Sequence, residues 1–124
     1  MLSCPGWNIQ VENTSGYGPG IRLDMWDGVH GNYDIASSIS AVDGAWHFVV
    51  FTVDRASTAK LYVDGELKDE GSVISIGNLN NSEPLRIGRR PDWFSLYNGC
   101  LDQIRFYNRV ISTAEIAVLY SEQL

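Results

Sequence analysis

The run Ala45-Trp46-His47-Phe48-Val49-Val50-Phe51-Thr52-Val53-Asp54 is apolar on both of its faces. A strand of that kind has to be covered from both sides, which places it in the middle of a β-sandwich. The next segment, Lys60-Leu61-Tyr62-Val63-Asp64-Gly65-Glu66-Leu67, reads as a hairpin. Its Asp-Gly pair supplies the positive φ angles of a type I′ turn between strands 60–63 and 66–70. Together the two segments predict stacked antiparallel sheets, a rigid scaffold whose function lies on its surface.

The rest of the chain fits that expectation. Trp7-Asn8-Ile9-Gln10-Val11-Glu12 alternates, with Trp7, Ile9 and Val11 on the inward face. After a turn-rich stretch from Asn13 to Gly20, Ile21-Arg22-Leu23-Asp24-Met25-Trp26 alternates again, with Ile21, Leu23 and Met25 inward. If these strands pair, Asn8, Gln10, Glu12, Arg22, Asp24 and Trp26 share one sheet face. Tyr33 to Ile39, Val73 to Ile76 and Pro84 to Gly88 read as short strands, and Cys100 to Asn108 as the last long one. Only the end of the chain is helical in pattern. Ser112-Thr113-Ala114-Glu115 is a capping box, Ile111 and Ile116 are spaced for a hydrophobic staple, and Ile116, Leu119 and Tyr120 form a docking stripe.

A length of 124 residues with 44% hydrophobic content suits a single domain, 1–124, with a core of its own. The net charge of −6 disfavours nucleic acid and anionic membranes as partners, because both reward positive charge. No run has the length of a membrane span, and Met1 to Pro5 lacks the regions of a signal peptide. Cys4 and Cys100 have no metal-ligand spacing, and whether they pair depends on distance.

Four pieces in order resemble the laminin-G-like branch of the concanavalin A-like lectin/glucanase superfamily. They are Asp43 to Val49 with Thr52-Val53-Asp54; Leu61-Tyr62-Val63-Asp64-Gly65; Leu85-Arg86-Ile87-Gly88 with Asn98 to Arg109; and the capped segment Ile111 to Tyr120. The resemblance implies an all-β fold, a two-sheet antiparallel jelly-roll sandwich with one short C-terminal helix. It also implies an extracellular or cell-surface binding module for glycans or proteins, with Trp46 and His47 as core features. Members usually begin with further strands that bring part of a calcium site. Those strands are missing ahead of Trp7, so an open sheet edge or apolar face is expected, and with it either a homo-oligomer or a place in a larger protein.

Sugar rings stack their C–H faces on aromatic rings while their hydroxyls bond to charged and amide groups. The loop from Arg89 to Asn98 holds both kinds of group, so Arg90, Asp92, Trp93 and Tyr97 are the leading ligand residues; the competing reading makes Trp93 and Phe94 a lid over the core. Arg22, Asp24 and Trp26 form the second candidate surface. His47 is assigned a hydrogen-bonded structural role, since no nucleophile signature accompanies it. The Glu-x-Asp-x-x-Glu pattern of the related glucanases is nowhere in the chain, which argues against an enzyme. No cofactor is expected; calcium is the one alternative, with Asp24, Asp27, Asp34, Asp43 and Asp102 as available ligands. Two N-glycosylation sequons, Asn13-Thr14-Ser15 and Asn80-Asn81-Ser82, are present. The expected function is non-catalytic, lectin-like binding of carbohydrate or glycoprotein. The alternatives are a structural or protein-interaction module of adhesin or virion type, and a remnant of a glycan-active enzyme.

Overall fold

A computed structural model describes residues 5–14, 18–30, 32–37, 43–89 and 96–123. The chain folds as two antiparallel three-stranded sheets and one short C-terminal helix. Strands β1 (Gly6–Thr14), β2 (Gly18–Trp26) and β3 (Asn32–Ser37) form the first sheet; β4 (Val49–Val53), β5 (Thr58–Val63) and β6 (Glu66–Ser72) form the second, each in sequential order. The helix α1 spans Thr113–Ser121.

The main core lies between the sheets and is built from Ile21, Leu23, Met25, Ile35, Ala59, Leu61, Val63, Val73 and Ile76. The two sheets are in direct contact where β3 meets β6. A Cβ at Gly71 would stand 2.9 Å from Ile35 Cδ1, and the Ala36 amide donates to Asp69 Oδ2 at 3.0 Å. Glycine at position 71 therefore lets one sheet seat on the other.

The doubly apolar run around residue 50 is explained by a second cluster. One side, Val49, Phe51 and Val53, packs on the main core; the other, Phe48 and Val50, packs with Tyr62, Ile111, Ile116 and Leu119 under the helix. Coverage on both faces is thus as expected, but the placement is not. Strand β4 covers 49–53 rather than 45–54, and it ends its sheet instead of lying in the middle. Trp46 falls outside the ladder and is 68% exposed, so it is no core residue among the described elements.

The hairpin turn has the expected chemistry, with φ of 53° at Asp64 and 82° at Gly65. The helix cap does too. Ser112 Oγ accepts from the Glu115 amide at 3.1 Å, and Glu115 Oε1 accepts from the Ser112 amide at 3.2 Å. Arg109 adds two charged hydrogen bonds to the same carboxylate, and these hold Glu115 down at about 2. Ile111 and Ile116 are both buried, as the staple requires.

Three expected strands do not form. Val73 and Ile76 are buried, but a turn closes between them through the Ile76 amide and the Val73 carbonyl. Residues 84–88 have no ladder, and Gly88 takes a φ of 88°. Residues 100–108 are likewise not a strand. Gln103 adopts a φ of 51°, which breaks the alternation, and Asp102 Oδ1 accepts from its amide. Alternation is necessary for a strand but insufficient without a neighbour to bond with.

Candidate functional site

In the register of the first sheet, Asn8 faces Asp24, Gln10 faces Arg22, and Asp24 faces Asp34. The six polar-face residues named from sequence do share one face, on the side away from the core. They form a connected network there. Arg22 Nη2 lies 2.8 Å from Glu12 Oε1, and Arg22 Nε lies 2.8 Å from Asp24 Oδ1. The second contact is close enough for charge attraction, although its angles are poor for a hydrogen bond. Gln10 Nε2 donates to Glu12 Oε1 at 2.8 Å and to Asp24 Oδ2 at 3.1 Å. Asn8 Oδ1 is buried with no partner of its own among the described residues. Gly6 stands opposite Trp26, so β1 places no side chain across from that half-buried ring.

Asp24 is 6% exposed. Burial pushes its carboxyl up to about 7, a hydrogen bond with Asp34 and the charge of Asp34 push the same way, and Arg22 opposes them. Below about pH 7 the Asp24 carboxyl is therefore largely protonated. Sequence reasoning placed Gln10 and Glu12 on this face but considered Asp34 only as a calcium ligand. The signal was available in the polar positions of two alternating strands, but the pairing register was not.

Arg90, Asp92, Trp93 and Phe94 lie outside the described residues. The feet of their loop are joined by a bridge between Arg89 and Leu96 and by the Tyr97 amide donating to the Gly88 carbonyl at 2.8 Å. Tyr97 is 41% exposed, and a Cβ at Gly99 would stand 3.0 Å from its ring. Cys100 is exposed, and its candidate partner Cys4 lies outside the described residues.

His47 has the structural role expected of it. Its Nδ1 is 2.8 Å from Asp64 Oδ2 and its Nε2 is 2.9 Å from Asp43 Oδ2. Asp27 is a second structural hub. Its carboxylate accepts from the amides of His30, Gly77 and Val29 and lies 2.6 Å from His30 Nδ1, contacts that hold it well below the usual carboxylate range. Among the described residues no three His, Cys, Asp or Glu side chains are grouped to hold a metal. Of the carboxylates named as available calcium ligands, Asp27, Asp43 and Asp102 are each engaged with local amides. No described helix is long and apolar enough to cross a membrane.

Comparison with known proteins places this architecture. A sequence model described as the concanavalin A-like lectin/glucanases superfamily matches residues 3–117. Botulinum neurotoxin type E of Clostridium botulinum is 33% identical over 95 residues, 74% of this chain and 7% of the toxin. The sushi, von Willebrand factor type A, EGF and pentraxin domain-containing protein 1 of Mus musculus is 28% identical over 102 residues, 75% of this chain and 3% of that protein. Adhesion G-protein coupled receptor V1 of Danio rerio is 27% identical over 89 residues, 70% of this chain and 1% of the receptor. The chain thus spans a small share of each relative. A crystal structure of an S-layer domain-containing protein from Clostridium thermocellum superposes on 97% of this chain and 65% of that one, with 22% identity and a TM-score of 0.47.

Proposed function

This chain belongs to the laminin-G-like branch of the concanavalin A-like lectin/glucanases superfamily, and from that premise we propose that it is a non-catalytic module that binds carbohydrate on the polar face of β1, β2 and β3. The observation that carries the reading is the Arg22–Asp24–Gln10–Glu12 network on the same sheet face as Trp26. It offers fixed donors and acceptors for hydroxyl pairs next to an aromatic plane for a sugar C–H face. The loop carrying Arg90, Asp92, Trp93 and Tyr97 is the second contact surface in this proposal.

A glycosidase needs two carboxyls about 5 Å apart or more, with the scissile bond between them. Asp24 is instead buried beside Asp34 in the sheet register, and burial favours its neutral form, which supports a binding role over an enzymatic one. The proposed setting is extracellular or at a cell surface, in keeping with relatives named as a neurotoxin and an adhesion receptor. Calcium is not part of the proposed binding mechanism. The second reading, a protein-interaction module, is favoured by the exposed apolar residues Trp7, Ile9 and Phe106.

Glycan-array screening followed by calorimetry tests the proposal. Trp26→Ala and Arg22→Ala should each weaken binding of any glycan found by roughly tenfold or more, the loss of about 1.4 kcal/mol. A folded wild-type chain that binds no glycan, or binding indifferent to Trp26, Arg22 and Trp93 alike, would sink it.

A further inference from the structure

Among the described residues, strand β1 ends its sheet and is laddered to β2 alone. Among the described residues, no backbone group outside that ladder bonds to it. Trp7, Ile9 and Val11 sit in register with Met25, Leu23 and Ile21, on the face that carries the core. The β2 residues are 1%, 3% and 4% exposed, whereas Trp7, Ile9 and Val11 remain 44%, 50% and 37% exposed. The cause is the offset of the sheets. Among the described residues the core draws on β2, β3, the second sheet and the segment after it, and no side chain of β1 belongs to it. Phe106 reaches to 6.4 Å from the Trp7 ring but is itself 62% exposed.

Sheet edges are normally blunted by charge, proline or a bulge. The β1–β2 register is unbroken from residue 6 to residue 14, and the inner positions 7, 9 and 11 carry no charge and no proline. An edge this regular and this apolar is built to be paired.

Independently of the glycan reading, we propose that β1 is the contact between two copies of this chain, pairing antiparallel with itself about a two-fold axis at Ile9. The result is a continuous six-stranded sheet. With Ile9 against itself, Trp7 falls opposite Val11 of the second copy, so the three apolar side chains complement one another. On the other face Asn8 meets Gln10 of the second copy, amide to amide. Glu12, the only charged residue of the strand, meets Gly6 and no like charge. An axis at Gln10 would set Trp7 against Asn13, and one at Glu12 would oppose two carboxylates. Such self-complementarity is what a two-fold contact requires of a single strand and what an unrelated partner does not explain. Half-exposed Trp7, Ile9, Val11 and Phe106 amount to a few hundred Å² per copy, so two copies approach the ~1,000 Å² of a specific interface. Each copy carries a net charge of −6. Association is therefore driven by apolar burial against repulsion, and it strengthens as salt is added.

The test is the mass of the full chain by light scattering and sedimentation equilibrium at rising concentration. A dimer is expected, tighter at high salt, and Ile9→Lys should return it to a monomer with an unchanged far-UV circular dichroism spectrum. Should that variant fail to fold, Ile9→Cys in a Cys4→Ser, Cys100→Ser background decides the matter, because cysteines on the axis form an intermolecular disulfide on mild oxidation. A wild-type monomer at high micromolar concentration, which would leave the edge to a strand of some other protein, overturns the proposal. So does a dimer whose Ile9→Cys form does not cross-link.

Discussion

His47 Nδ1 lies 2.8 Å from Asp64 Oδ2, and this contact ties the approach to β4 to the turn between β5 and β6. The same carboxylate accepts from the Phe48 amide at 2.9 Å, while the Phe48 carbonyl accepts from the Asp64 amide at 2.8 Å. Phe48 in turn stacks on Tyr120 of the helix at 6.0 Å. A single imidazole therefore helps to set the platform on which the helix docks.

That ring is bridged by carboxylates at both nitrogens, and only the protonated form can donate from both. Hydrogen bonds that the ring donates to Asp64 and then to Asp43 raise its pKa above the usual value of 6.5. A group with a raised folded-state pKa contributes stability that is fully present below its unfolded value and lost as pH rises through the folded one. The thermal midpoint should thus fall by on the order of a few degrees as pH rises from about 6 to about 9. His47→Gln should be less stable at pH 6 and lose that slope. Thermal unfolding across a pH series measures both; an unchanged slope in His47→Gln would remove the clamp from the account.

Asp24 acts in a lower window with the same sign. Its folded-state value near 7 exceeds the unfolded 3.8, so its contribution is complete below pH 3.8 and disappears as pH rises through 7. Asp24→Asn keeps the shape, needs no proton to donate to Asp34, and should flatten the stability profile between about pH 4 and 7. Direct titration of the side-chain carboxyl carbons by nuclear magnetic resonance provides a second check. An Asp24 resonance titrating near pH 4 would contradict the raised value that burial gives this carboxyl.

Gly65 is under two constraints at once. Its φ is 82°, and a Cβ there would stand 3.0 Å from Tyr120 Cδ1. Gly65→Ala should lose about 1–2 kcal/mol for the left-handed backbone, and more for the displaced ring. Adding Tyr120→Leu should recover the steric part and leave the backbone part. Urea unfolding of the single and double variants separates the two, and a neutral Gly65→Ala would show that the helix does not rest on the turn.

Local chemistry was legible where neighbours in sequence are neighbours in space. The capping box at Ser112 and Glu115, the Asp64-Gly65 turn and the alternation of β1 and β2 all appear as read. The Arg22, Asp24 and Trp26 face could also be named, because a period of two assigns each residue to a side. What failed were the inferences that needed a distant partner. Trp46 was expected in the core and is exposed, 100–108 was expected in a ladder and has none, and Asp34 was not joined to Asp24.

The amino-acid order alone therefore determined the antiparallel β class, the Asp64-Gly65 turn, the helix cap and the side on which each residue of β1 and β2 sits, since those follow from backbone geometry within a few residues. Tertiary structure decided which of those sides is covered. Among the described residues the second sheet packs over β2 and β3 and not over β1, so Leu23 is buried while Ile9, its partner in the ladder, is half-exposed.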